Sequence, residues 1–155
     1  MKKLAIVIAL VAILATGTAF ADFGIGVHGG GGLGGGGAGL NLAFSPIYIY
    51  VDAFGLGSNS MSIFGAVDFW QFLGGNIVGD LSWYWRLGIP VGLWGFGDKL
   101  GLAVGIRAPI GLSWKPIPLI ELFIHLSPQI GLQIMPEVKL WANYFGGTGG
   151  IRFWF

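Results

Sequence analysis

Asp80-Leu81-Ser82-Trp83-Tyr84-Trp85-Arg86-Leu87-Gly88-Ile89-Pro90-Val91-Gly92-Leu93 decides the fold. Its odd positions, Leu81, Trp83, Trp85, Leu87, Ile89, Val91 and Leu93, are all apolar. Its even positions are Asp80, Ser82, Tyr84, Arg86, Gly88, Pro90 and Gly92. In an extended chain successive side chains point to opposite faces, so one face is continuously apolar and the other holds small residues and isolated charges. Strands of soluble sheets alternate as well, but usually for about five or six residues.

The next stretch repeats the pattern with inverted parity. Leu100, Leu102, Val104, Ile106, Ala108, Ile110 and Leu112 lie opposite Gly101, Ala103, Gly105, Arg107, Pro109, Gly111 and Ser113, and Phe96-Gly97-Asp98-Lys99 reads as the turn between. This is lipid-out, lumen-in alternation, and a transmembrane strand needs only about ten residues to cross.

The rest of the chain keeps the rhythm less cleanly. Phe23, Ile25 and Val27 alternate with Gly24, Gly26 and His28, and Leu40, Leu42 and Phe44 form a second strand ending before Pro46. Ile47, Ile49, Val51 and Ala53 alternate with Tyr48, Tyr50 and Asp52. Ile63, Val67 and Phe69 alternate with Phe64, Asp68 and Trp70, with Gly74-Gly75-Asn76 as the expected turn. After Lys115-Pro116-Ile117-Pro118, the outward series Ile120, Leu122, Ile124, Leu126, Ile130, Leu132 and Ile134 faces away from Glu121, Phe123, His125, Ser127, Gln129 and Gln133. A last segment from about Val138 changes parity near Gly146-Gly147, the signature of a bulge or kink.

Composition excludes most alternatives. The chain is 54% hydrophobic and only 10% charged, more apolar surface than a soluble domain of this size can hide. Its apolar stretches beyond the amino terminus are cut by Gly and Pro every few residues, so they do not read as transmembrane helices. Lipid offers the backbone no hydrogen-bond partners, which leaves a closed barrel as the spanning structure. The expectation is an all-β, eight-stranded antiparallel transmembrane β-barrel in an up-and-down meander. Cysteine is absent, which removes disulfides, thiolate catalysis and cysteine metal sites. The charge balance gives no reason to expect a nucleic-acid partner.

Both termini point to export. Lys2 and Lys3 precede an apolar run from Leu4 to Thr16, and Ala19-Phe20-Ala21 fits the small-x-small pattern of signal-peptide cleavage. Residues 1–21 are therefore expected to be a signal peptide and residues 22–155 the barrel domain. At the other end Ile151, Phe153 and Phe155 share one face and Arg152 and Trp154 the other. An alternating strand that closes on an aromatic residue is expected to act as an outer-membrane insertion signal.

The signal peptide, the eight alternating segments and Phe155 resemble the small OmpA/OmpX-like outer-membrane barrels. Gly105-Ile106-Arg107-Ala108-Pro109-Ile110-Gly111-Leu112-Ser113, Pro118-Leu119-Ile120-Glu121-Leu122-Phe123 and Ile151-Arg152-Phe153-Trp154-Phe155 are similar to an uncharacterised family of spirochaete outer-membrane barrels. That resemblance covers mainly the residues after about 100. Where its members carry lumen charges in the first strands, this chain has glycine.

Gly29 to Gly37, glycine except for Leu33, lacks both the P-loop lysine and the strand-helix-acid context of a nucleotide loop. It reads as the first hairpin, with glycine where side chains would collide. Asp52, Asp68, Asp80, Arg86, Arg107, Glu121 and Arg152 all fall on the expected inner face. Lone charges in a narrow lumen are costly, so they are expected to pair as a packing network rather than to catalyse. For Arg107, Asp80 or a residue near His125 or Gln129 is the expected partner. His28 and His125 have no ligand-like spacing for zinc, and no Gly-x-Ser-x-Gly marks a lipase-like triad. Trp83, Trp85, Trp94, Trp114, Trp141 and Trp154 fit interfacial belts better than carbohydrate stacking.

The functional expectation is a non-enzymatic, monomeric outer-membrane protein without cofactor, metal or catalytic residues. It acts as a structural or surface-interaction (adhesion-type) protein, with a narrow pore for water or small solutes as the alternative. Its expected partners are the lipid bilayer, the outer-membrane assembly machinery and an extracellular protein ligand of unknown identity.

Overall fold

In a computed structural model the chain is described for residues 23–32, 35–54, 62–95, 100–143 and 146–155. The expected signal segment with Ala19 and Ala21, the turn Phe96-Gly97-Asp98-Lys99 and the connection around Ser58-Asn59-Ser60 lie outside these residues.

Among the described residues, eleven strands form one antiparallel sheet closed on itself. β1 (Phe23–Gly32), β2 (Gly35–Phe44), β3 (Ile47–Phe54), β4 (Ser62–Val78) and β5 (Leu81–Trp94) follow one another as a meander. The next three passes are each broken once. β6 (Gly101–Arg107) continues as β7 (Ile110–Ile117), β8 (Ile120–Leu126) as β9 (Gln129–Met135), and β10 (Lys139–Asn143) as β11 (Gly147–Trp154). β6 and β7 both pair with β5, β6 with β9, β7 with β8, β9 with β10 and β8 with β11. β11 pairs with β1 from Gly24↔Trp154 to Gly31↔Gly147 and closes the ring. The eleven segments are thus eight passes of an up-and-down barrel.

Two of the three breaks fall where proline removes a backbone donor. Pro109 separates β6 from β7 and Pro128 separates β8 from β9. The ladder is kept continuous across them, because the Arg86 N–H donates to the Pro109 carbonyl at 2.9 Å and the Ala108 N–H to the Pro128 carbonyl at 3.0 Å.

Phe23 and Phe155 lie together at one rim, where the Phe155 N–H donates to the Phe23 carbonyl at 2.8 Å. The turns at this rim are the two-residue connections Ser45–Pro46, Gly79–Asp80 and Pro118–Leu119. Gly79 has φ 53°, the left-handed conformation that glycine adopts without steric cost. The strand ends that flank the longer connections, those between β3 and β4 and between β5 and β6, are at the opposite rim, the loop rim.

Alternation around the wall is as anticipated over β5 to β9. Ile89, Val91, Ile106, Leu112, Ile124 and Leu132 are exposed outward, while Arg86, Arg107, Ser113, Glu121, His125 and Gln133 are buried inside. No helix among the described residues is long and apolar enough to cross a membrane.

β4 differs from its expected reading. Gly74-Gly75-Asn76 is no turn but lies within the strand, and the chain reverses at Gly79–Asp80. Three register shifts, between Asp68 and Trp70, Gln71 and Leu73, and Asn76 and Val78, each insert an extra residue. The extra residues are Phe69, Phe72 and Ile77, all apolar and exposed. Each bulge therefore puts two consecutive apolar residues outside, and the first two return Gln71 and Gly74 to the inner parity. Trp70, assigned inward by strict alternation, is consequently outside and 57% exposed, stacked on Phe72 at 5.1 Å. Asp80 leaves the lumen set for the same reason: the strand ends two residues before it, and Asp80 is exposed in the turn.

Candidate functional site

The interior is a solid layer between two open ends. At the loop rim a cavity of about 580 Å³ is lined by Asp52, Arg107, Gln129, Gln133, Trp94 and Trp141 among others. At the turn rim a cleft of about 390 Å³ is lined by residues including Tyr48, Gln71, Arg86, Lys115 and Glu121. Between them the side chains of Asn41, Tyr50, Asp68, His125 and Arg152 are almost wholly buried.

One geometric rule organises this layer. Four of its polar pairs join residues on next-but-one strands, and a glycine occupies the matching position on the strand between. His28 on β1 and Asp52 on β3 are both in register with Gly39 on β2, and His28 Nε2 lies 2.6 Å from Asp52 Oδ1. Asn41 on β2 and Arg152 on β11 are both in register with Gly26 on β1, and Arg152 Nε donates to Asn41 Oδ1 at 2.7 Å. Asp68 on β4 and Arg107 on β6 flank Gly88 on β5, with Arg107 Nε 2.9 Å from Asp68 Oδ1 and Nη2 donating to Oδ2 at 3.1 Å. Tyr84 on β5 and His125 on β8 flank Gly111 on β7, with the Tyr84 hydroxyl 2.9 Å from His125 Nδ1.

The reason is space. Neighbouring strands are about 4.8 Å apart, so partners two strands away must lean over the one between. On the concave wall of a small barrel a Cβ there would stand in their path. One added at Gly88 would collide with the Asp68 carboxylate, and one at Gly111 would come within 2.5 Å of the His125 Cβ. At Gly24 it would meet Arg152 Cδ at 2.6 Å. Glycine at positions 24 and 26 of β1 makes the room that Arg152 occupies.

Glu121 and Arg152 are the direct cross-strand pair, in register between β8 and β11. Arg152 Nη1 and Trp154 Nε1 both donate to Glu121 Oε2 at 2.7 Å, and Ser113 Oγ donates to Oε1 at 2.7 Å. Both carboxylate oxygens are thereby engaged. Aromatic rings fill the remaining volume. Tyr50 stands edge-on to His28, Phe123 and His125 at 5.4, 6.3 and 5.6 Å, and the Arg107 guanidinium lies 4.9 Å from its ring.

Of the seven charges assigned to the lumen, the interior holds Asp52, Asp68, Arg86, Arg107, Glu121 and Arg152, while Asp80 is outside. The partner of Arg107 is Asp68, not Asp80 or a neighbour of His125; Gln129 is its backbone register partner only. Sequence reasoning passed over Asn41, Tyr50, Tyr84 and Lys115. Each carries the inward parity of its strand, which was the available signal. Tryptophan also divides differently from expectation. Trp85 and Trp114 point outward, whereas Trp94 lines the loop-end cavity and Trp154 is buried inside. On the closing strand Phe153 and Phe155 are exposed on the outer face and Ile151 is half-buried.

No group of three or more histidine, cysteine, aspartate or glutamate side chains among the described residues is placed to hold a metal ion. The arrangement can hold the barrel shut: ion pairs and rings knit strands two apart into a cross-braced plug.

The fold and its interior define a small β-barrel of the outer-membrane type. Among solved structures the chain is similar to the crystal structure of Neisserial surface protein A (NspA), with a TM-score of 0.43 and 13% identity over 86% of this chain and 96% of that one. No family model and no curated protein matches the sequence.

Proposed function

We propose that this chain is a non-enzymatic, monomeric protein of the outer membrane that serves as a structural or surface-interaction barrel with a closed lumen. The supporting observation is the plug. The two end cavities are separated by a layer in which Asp52, Asp68 and Glu121 are each held by a cationic or imidazole partner and the rings of Tyr50 and Phe123 fill the gaps. An eight-stranded barrel leaves an interior just wide enough for side chains to fill, whereas porins with aqueous channels use about sixteen strands or more. An apolar outer wall matched to lipid and an inner wall whose buried carboxylates Asp68 and Glu121 are paired with arginine fit residence in a bilayer. The resemblance to OmpA/OmpX-like and spirochaete barrels points the same way. On this reading the amino-terminal segment is removed after Ala21, and Ile151, Phe153 and Phe155 present the strand recognised by the assembly machinery.

A narrow pore is the second reading, favoured by one observation. Arg107 lines the loop-end cavity, while Arg86 and Glu121 line the turn-end cleft, so the barrier between them is a single layer of side chains. Planar-bilayer recording of the refolded protein separates the two. A silent bilayer is the expected result, and stepwise openings carried by ions would replace the closed barrel with the pore. Amino-terminal sequencing of membrane-isolated protein should begin at Asp22, and retention of Met1 would refute the export assignment.

A further inference from the structure

The plug pairs its charges unevenly. His28 holds Asp52, Arg107 holds Asp68 and Arg152 holds Glu121. Arg86 remains. It is 4% exposed, and no carboxylate lies within ion-pair distance of it among the described residues. Its guanidinium is clamped face-on between two rings, 3.5 Å from the Tyr48 centroid and 3.8 Å from the Tyr84 centroid. Stacking of this kind uses the face of the cation and not the edge that carries its N–H donors. A single hydrogen bond uses that edge: Nε donates to Gln71 Oε1 at 3.4 Å.

The free edge borders the turn-end cleft. Lys115, at the mouth, borders it too, with Nζ 4.1 Å from the centroid of the Trp154 ring and again no carboxylate partner among the described residues. The remaining polar lining is neutral, from Ser45, Gln71, Asn76 and Ser82. Glu121 is the only carboxylate on the wall, and both its oxygens are already engaged by Arg152, Trp154 and Ser113. The cleft, at about 390 Å³, falls within the roughly 300–1,000 Å³ of small-molecule sites.

We propose that the turn-end cleft is a binding site for a phosphate-type oxyanion, received by the edge of Arg86 and by Lys115. A buried guanidinium without a counter-ion is costly, and a tetrahedral anion with several acceptor oxygens supplies what the cleft lacks. Guanidinium suits phosphate because its N–H fork matches two oxygens at once, while lysine contributes a point charge. The stacked tyrosines hold the fork in one orientation, so little rotamer freedom is lost on binding. The phosphate belongs either to a free phosphomonoester or inorganic phosphate entering from the turn rim, or to the headgroup of an anionic phospholipid.

Calorimetric titration of sodium phosphate, at constant ionic strength, into the protein refolded in neutral maltoside micelles tests this. Saturable binding is expected. Arg86→Gln should abolish it, and Lys115→Gln should weaken it by about fivefold, the worth of a partly exposed charge. Gln133→Ala, in the opposite cavity, should leave it unchanged. Lys115 is exposed at the mouth, so its variant carries the test if Arg86→Gln does not refold. Should phosphate give no heat, native mass spectrometry with phosphatidylglycerol added to the micelles identifies the headgroup as the ligand if adducts form and are lost in either variant. Absence of both kinds of binding, or binding that survives both substitutions, overturns the site.

Discussion

Asp68 and Arg107 form an ion pair, 2.9 Å from Oδ1 to Nε, across a strand that belongs to neither of them. The residue they share is Gly88 on β5, the register partner of both. Their pairing depends on that glycine as much as on their charges.

Gly88→Val should therefore behave as a charge deletion although it alters no charged residue. With a side chain on Gly88 the carboxylate is displaced, and loss of a buried pair costs about 3–5 kcal/mol. Gly92→Ala is the control on the same strand and the same inner face, since a Cβ there meets its nearest atoms at 3.6 Å. It should change stability by no more than about 0.5 kcal/mol. Unfolding midpoints in urea, measured in detergent, decide the matter; equal losses for the two variants would falsify the interposed-glycine rule.

A double-mutant cycle on Arg107→Ala and Asp68→Ala should give a coupling of about 1–3 kcal/mol, the range for residues in contact. The same cycle with Asp80→Ala should give none, because Asp80 sits in the exposed turn. Coupling to Asp80 in place of Asp68 would relocate the pair.

Ile106→Arg places a charge on the outer wall, where Ile106 is 54% exposed. At the midplane of a bilayer such a change costs about 2–4 kcal/mol. If it refolds into lipid vesicles as completely as Ile106→Leu, the outer wall does not face lipid.

Variants retaining one tryptophan each should divide into two groups in vesicles of brominated lipid. Trp70, Trp85 and Trp114 point outward and should be strongly quenched; Trp154, inside and hydrogen-bonded to Glu121, should not. Quenching of Trp154 to the same extent would place it outside and reverse the parity of β11.

Tyr50→Ala removes the ring at the centre of the plug, which touches His28, Phe123 and His125. If the interior is sealed by packing, planar bilayers that are silent with the parent protein should show discrete openings with this variant. Continued silence would mean that the ion pairs alone close the lumen.

These relationships were unequally visible in the sequence. β5 and the two segments after it could be read position by position, because lipid on one side and a crowded lumen on the other impose strict alternation on Leu81 to Ser113. β4 resisted, because Phe69, Phe72 and Ile77 are inserted apolar residues that break the count without breaking the wall. The misplaced turn at Gly74-Gly75-Asn76 and the misassigned Trp70 and Asp80 all follow from those bulges. The identity of the inward charges needed parity alone, so six of the seven were legible. Their partners were not, because pairing skips a strand: Arg107 was sought among residues on adjoining strands, whereas the partner lies two strands away and the informative residue, Gly88, carries no chemistry. Many of the chain's 30 glycines look like flexible filler until the register shows which side chains lean across them.

Arg152 has a consequence for how the molecule comes into being. It lies in the final strand, yet its partners are Asn41 on β2 and Glu121 on β8, at opposite sides of the seam. Until that strand docks, an amide and a carboxylate far apart along the chain each wait for the same guanidinium, with only His28 beside Asn41 and Ser113 beside Glu121 to engage them. Ring closure and burial of the polar interior are thus a single cooperative event of high contact order, and a partly assembled sheet has no comfortable resting place in hydrocarbon.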